Sequence, residues 1–157
     1  MNYWILKGVF IMASATTSNY LHQKLMDFVL KGTAYQPPTT LYLALFTNGS
    51  PSLDGTGGTE VPINSSTNYA RVPIQQGSSS WSAPSGVNME YSNLQEIVFN
   101  VPGTASWGTI TSVGLYDAPT GGNLMWLGSI GTSKSVSSGD GAPRVLINQL
   151  KIQRATC

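Results

Sequence analysis

The sequence predicts a mainly β fold, an antiparallel β-sandwich or barrel of jelly-roll-like kind with one N-terminal α-helix, and three observations carry that expectation. First, 17 Gly and 9 Pro, with many Ser, Thr and Asn, cut the apolar residues into short runs. Second, those runs are rich in β-branched and aromatic side chains, which suit a pleated, half-buried surface. Third, only one stretch, near residue 20, repeats its apolar residues at helical spacing. The 157 residues suffice for one core, and a chain of this length buries roughly two thirds of its unfolded surface.

Residues 1–17 read as an N-terminal extension and residues 18–157 as a single β-rich domain. The segment Met1 to Met12 is MNYWILKGVFIM. A signal peptide places its positive charge ahead of an uninterrupted apolar stretch, whereas Lys7 lies inside this one. The stretch also falls well short of the roughly 20 residues that span a bilayer. The expectation is an extension arm, or an upstream start ahead of a shorter form beginning at Met12. In the arm Tyr3, Trp4, Ile5, Val9, Phe10 and Ile11 require an apolar surface, which a neighbouring subunit would supply. Tyr3, Trp4, Ile5, Phe10 and Ile11, together with Trp81, are the expected subunit-interface residues.

Ser18 to Lys31 is the helix. Ser18 can cap it, Leu21, Leu25, Phe28 and Val29 share a face, and Gly32 stops it. Pro37-Pro38 then forbids continuation. Leu41 to Thr47 (LYLALFT) is a short continuous apolar run ended by Asn48-Gly49, as expected of a central strand covered on both faces. Residues 48 to 68 read as a long surface loop suited to partner contact. Tyr69 to Ile74 reads as a strand, with Pro73 placing it at an edge or at the strand's end. Trp81 stands in a Ser-rich stretch, either as a lid on the core or as an interface anchor. Ile97, Phe99 and Val101 alternate with polar or outward positions. Trp107 to Tyr116 and Leu124 to Ile130, joined by the turn Asp117 to Asn123, form a hairpin. Ser135 to Pro143 is a loop, and Val145 to Ile152 is expected as a closing strand.

Charge excludes several functions. Charged residues make up 10% of the chain and the net charge is +1, against roughly a quarter charged in an ordinary soluble domain. The eight Lys and Arg form no basic stripe, so no nucleic-acid partner is expected, and no membrane partner either. His22 is the single histidine and reads as a surface or half-buried side chain, which leaves nothing from which to build a multi-His metal site or a Ser-His-Asp triad. The seven acids are dispersed, with no local acid pair of the glycosidase kind. Asp54, Asp117 and Asp140 lie beside glycines; holding turns is the simpler reading and a calcium site the alternative. Cys157, alone and terminal, is read as inert, with intermolecular pairing as the alternative. No enzyme, metal or cofactor is expected.

The segment TASWGTITSVGLYDAPTGGNLMWLGSI (Thr104 to Ile130), taken with LYLALFT and YARVPI and a final loop carrying Lys134, Val136, Gly139 and Asp140, resembles a family of small phage virion proteins of the tail-fibre-like or decoration type. The resemblance covers most of residues 18 to 152. It implies a non-enzymatic β-sandwich in a virion and leaves its place on the particle open. The leading expectation is a capsid cement or decoration protein that bridges major capsid subunits and associates with copies of itself as a homotrimer. The alternative is a tail-fibre or receptor-binding component whose loops meet the host surface.

Overall fold

A computed structural model describes residues 16–153. In chain order the elements are β1 (Thr16–Thr17), α1 (Asn19–Lys31), β2 (Thr40–Asn48), β3 (Thr59–Glu60), β4 (Val72–Gln75), β5 (Tyr91–Ser92), β6 (Ile97–Val98), β7 (Gly108–Tyr116), β8 (Leu124–Val136), β9 (Arg144–Val145) and β10 (Lys151–Ile152). The main antiparallel sheet runs β1-β8-β7-β2-β3, with β4 also paired to β2. It stays open and does not close into a barrel. The small sheets β10-β5 and β6-β9 are not hydrogen-bonded to it, though Ile97 of β6 and Val145 of β9 share its larger core.

β2 is central, as its apolar run demands. It pairs with β7 along one side, from Tyr42 opposite Tyr116 to Phe46 opposite Ser112, and with β4 and β3 along the other. Because side chains alternate across a strand, its buried residues 43–46 feed two cores. Leu43 and Leu45 join Val113, Leu115, Trp107 and Phe99 in the larger one. Ala44 and Phe46 join Tyr116 and Leu124 in the smaller one on the opposite face. A register shift between Ile110 and Ser112 lets both Ile110 and Val113 enter the larger core although they differ in parity.

Several expectations need correction. β8 continues to Val136, six residues past the expected end of the hairpin. Val145 to Ile152 is not one strand: Asn148 adopts φ 62 and a turn separates β9 from β10. Asn93, almost fully buried, organises that turn, its Oδ1 accepting from the Leu150 N–H at 2.8 Å and its Nδ2 donating to the Leu146 carbonyl at 2.9 Å. A turn held by an isolated buried amide leaves no periodic signal. Residues 48 to 68 are more than a surface loop: β3 lies within them, Val61 is buried, and Thr67 is buried. Thr16 and Thr17, assigned to the extension by the sequence, pair with Leu127 and Trp126 of β8.

The three aspartates beside glycines each close a turn. Asp54 Oδ1 accepts from the Thr56 N–H and hydroxyl, Asp117 from the Asn123 N–H and side-chain amide, and Asp140 from the Ser137 N–H. Local hydrogen bonding accounts for all three.

Tyr69 ties β2 to the polar interior. Its hydroxyl accepts from the Leu45 N–H at 2.9 Å and donates to Glu60 Oε1 at 3.1 Å. Burial, and next the charge on Glu60, push its pKa well above the usual tyrosine value. A tyrosine titrates near pH 10 when unfolded, so its contribution is fully present below about pH 10 and is lost as pH rises from there toward the folded value. In an alkaline titration, part of the tyrosinate absorbance from the seven tyrosines should therefore appear only together with the loss of circular dichroism. Complete ionisation in a still-folded protein would contradict this.

Candidate docking surface

The helix α1 starts as expected. Ser18 adopts an extended conformation and its Oγ accepts from the Leu21 N–H at 3.1 Å, while its hydroxyl donates to the Leu124 carbonyl and fastens the cap to β8. Gly32, at φ 67, ends the helix in the left-handed conformation that glycine adopts freely. Lys31 pairs with Asp27 at 2.6 Å and holds that half-buried carboxyl below the usual range.

Most of the face shared by Leu21, Leu25, Phe28 and Val29 does not pack inward. Leu21 is the one buried residue of α1, whereas Phe28, Val29 and Leu30 are 54%, 68% and 75% exposed, and Leu25 and Met26 are well exposed. The helix touches the domain through its first turn and carries the rest of its apolar residues into solvent. His22 is exposed among them. A scattered exposed leucine is ordinary; five large apolar side chains within six consecutive residues form a patch of the kind that marks an interaction site.

Beside α1 lies an open groove of about 650 Å³. Leu21 and Leu25 form one wall, the Tyr35 to Leu41 connection another, the 76–84 stretch with Trp81 a third, and Trp126 with Ile152 closes it. Among the described residues no charged side chain lines it. The sequence placed Trp81 either over the core or at an interface; in the fold it is half-buried, packs against the larger core and also walls the groove. Tyr35 contributes a hydroxyl that is buried without a hydrogen-bond partner among the described residues, and burial pushes its pKa up. The expected interface residues Tyr3, Trp4, Ile5, Phe10 and Ile11 lie outside the described residues.

The densest polar cluster lies elsewhere. Arg71, with its side chain 4% exposed, makes a bidentate pair with Glu60, Nε to Oε1 and Nη2 to Oε2, both at 2.8 Å. Its Nη1 donates to the Ala118 and Gly121 carbonyls of the β7–β8 turn, and its guanidinium lies 3.8 Å from the centre of the Tyr116 ring. Burial acts to lower its pKa, yet Glu60 more than offsets this and the group stays charged. Every donor that faces inward has a partner, and neither residue lines the groove, so the cluster is a fastening between strands and turn. YARVPI announced a strand but gave no sign that its arginine turns inward. Among the described residues no three His, Cys, Asp or Glu side chains gather as metal ligands, and no helix is long and apolar enough to cross a membrane.

A family model described as podophage GP4 fiber I protein gp80 matches residues 16–153, nearly the whole chain. The chain belongs to this family. It is thus a phage virion protein of the fibre type, in agreement with the resemblance carried by the hairpin and the LYLALFT and YARVPI strands. No curated protein matches the chain. The match spans β1 to β10, and so includes α1 with its exposed apolar row.

Proposed function

We propose that the chain is a structural subunit of a phage tail fibre or of the base by which such a fibre joins the tail, acting by assembly and not by catalysis. The fibre description of the family favours this reading over the capsid cement role that the sequence alone had put first. The observation that carries the assembly is the row Leu25 to Leu30 on α1, which a lone subunit leaves in water and a second copy would cover. The groove shares Leu21 and Leu25 with that row, so helix and groove make one continuous apolar surface. Host contact falls to the loops; the tip between Ser85 and Glu90 presents Val87 and Met89, 90% and 53% exposed.

The test separates assembly from folding. Leu30→Glu changes a side chain that is 75% exposed, so unfolding free energy should move by no more than about 0.5 kcal/mol. Burial of a leucine at an interface contributes about 1.5–3 kcal/mol, so association followed by sedimentation should weaken roughly ten- to hundredfold. Unchanged association would remove α1 from the interface. Immunogold labelling of intact particles should place the protein at the tail, and label spread over the capsid would contradict the fibre reading.

A further inference from the structure

We infer that the groove is filled by residues 1–12 of a second copy of this chain, so that subunits are joined by an exchanged arm. This rests on reading α1 and the groove as a subunit surface, and it names what enters that surface. The groove and the segment match in chemistry. The groove has the size of an ordinary ligand cleft, roughly 300–1,000 Å³, and offers two indole walls with no charged group. The segment MNYWILKGVFIM carries Tyr3, Trp4, Ile5, Leu6, Val9, Phe10 and Ile11 around one charge, Lys7. The lining is mainly apolar, and its polar side chains Tyr35, Gln76, Ser78, Ser82 and Tyr91 are few against the many hydroxyls that a glycan presents. An extended peptide would also bring backbone groups to the unpartnered Tyr35 hydroxyl.

Reach and direction favour exchange. The arm joins the domain at the groove wall, because Thr17 stands opposite Trp126 and Thr16 opposite Leu127. Residues 13 to 15 span at most roughly 10 Å when extended, so the aromatic part of the arm starts close to the surface it would fill. β1 is antiparallel to β8, and each step back along it moves from Trp126 toward the Val136 end, away from Met125, Leu21 and Leu25. At Thr16 the backbone is therefore directed away from the helical wall of its own groove. Entry into a neighbour's groove requires no reversal, and that neighbour is held by the same apolar row on α1.

The experiment uses the full chain with Trp4→p-benzoylphenylalanine, co-expressed with an isotope-labelled full chain that lacks the substitution, then irradiated and mapped by mass spectrometry. The expected product joins the unlabelled N-terminal peptide to labelled peptides from residues 35–41 or 76–84, and Ala83→Glu in the labelled chain lowers its yield at least tenfold. Crosslinks confined to the chain's own groove, crosslinks outside the groove, or no crosslink in a chain that still associates would each overturn the exchange. In that last case sensitivity to Leu30→Glu would leave α1 as the interface while the arm assignment falls. A chain that neither crosslinks nor associates overturns both.

Discussion

Replacing Arg71 with alanine lowers the free energy of unfolding by about 3–5 kcal/mol, the range for breaking a buried ion pair from one side. The size follows from what is left behind. Glu60 keeps its charge with its side chain only 21% exposed, and the Ala118 and Gly121 carbonyls lose the donor that holds the β7–β8 turn. The Tyr116 ring also loses the cation stacked on it. For a chain of this length about 2–4 °C of melting temperature accompanies each kcal/mol, so the midpoint falls by on the order of 10 °C. Arg71→Lys rescues little, since an ammonium cannot reproduce the fork that meets Glu60 and the two carbonyls together. Combining Arg71→Met with Glu60→Gln recovers part of the loss, because no uncompensated charge remains. A loss below about 1 kcal/mol in denaturant titration would show that the pair behaves as a solvated surface contact.

Trp107→Ala costs a similar amount, about 3–5 kcal/mol. Its indole is 3% exposed, meets Tyr69 edge-on at 5.2 Å and Phe99 at 6.2 Å, and donates from Nε1 to the Thr67 carbonyl at 2.7 Å. Trp107→Phe separates packing from hydrogen bonding. The Thr67 carbonyl still accepts from the Gly103 N–H at 2.9 Å, so losing the indole bond leaves no orphaned acceptor. The phenylalanine variant should retain most of the stability, with a loss near the low end of the roughly 1–3 kcal/mol seen when polar partners are removed. Gly103 cannot be altered to compensate, because a Cβ there would collide with the Ser66 carbonyl. Equal losses for alanine and phenylalanine in denaturant unfolding would place the whole effect on the hydrogen bond.

The sequence was most legible where one local rule decided the outcome. Ser18 and Gly32 bounded α1, the uninterrupted LYLALFT run marked the central strand, and the Asp117 to Asn123 turn marked the hairpin. It was least legible where long-range packing decided. The spacing of Leu21, Leu25, Phe28 and Val29 correctly gave a helix, but spacing alone cannot say whether an apolar face meets its own domain or another copy; only Leu21 is buried. The closing segment failed for a related reason, since Asn93 lies more than 50 residues from the Leu146 and Leu150 backbone groups it holds. Of the residues that line the groove, Trp81 was singled out in the sequence, as a lid on the core or an interface anchor. The groove was not, because its walls come from six separated parts of the chain and no one of them carries a pattern of its own.

The most direct test is the number of copies per particle, measured by quantitative mass spectrometry against the major capsid protein. A fibre-type subunit at the tail should be present in a small number of copies, set by the symmetry of the tail. Parity with the shell subunit would contradict that reading and return the protein to the capsid surface.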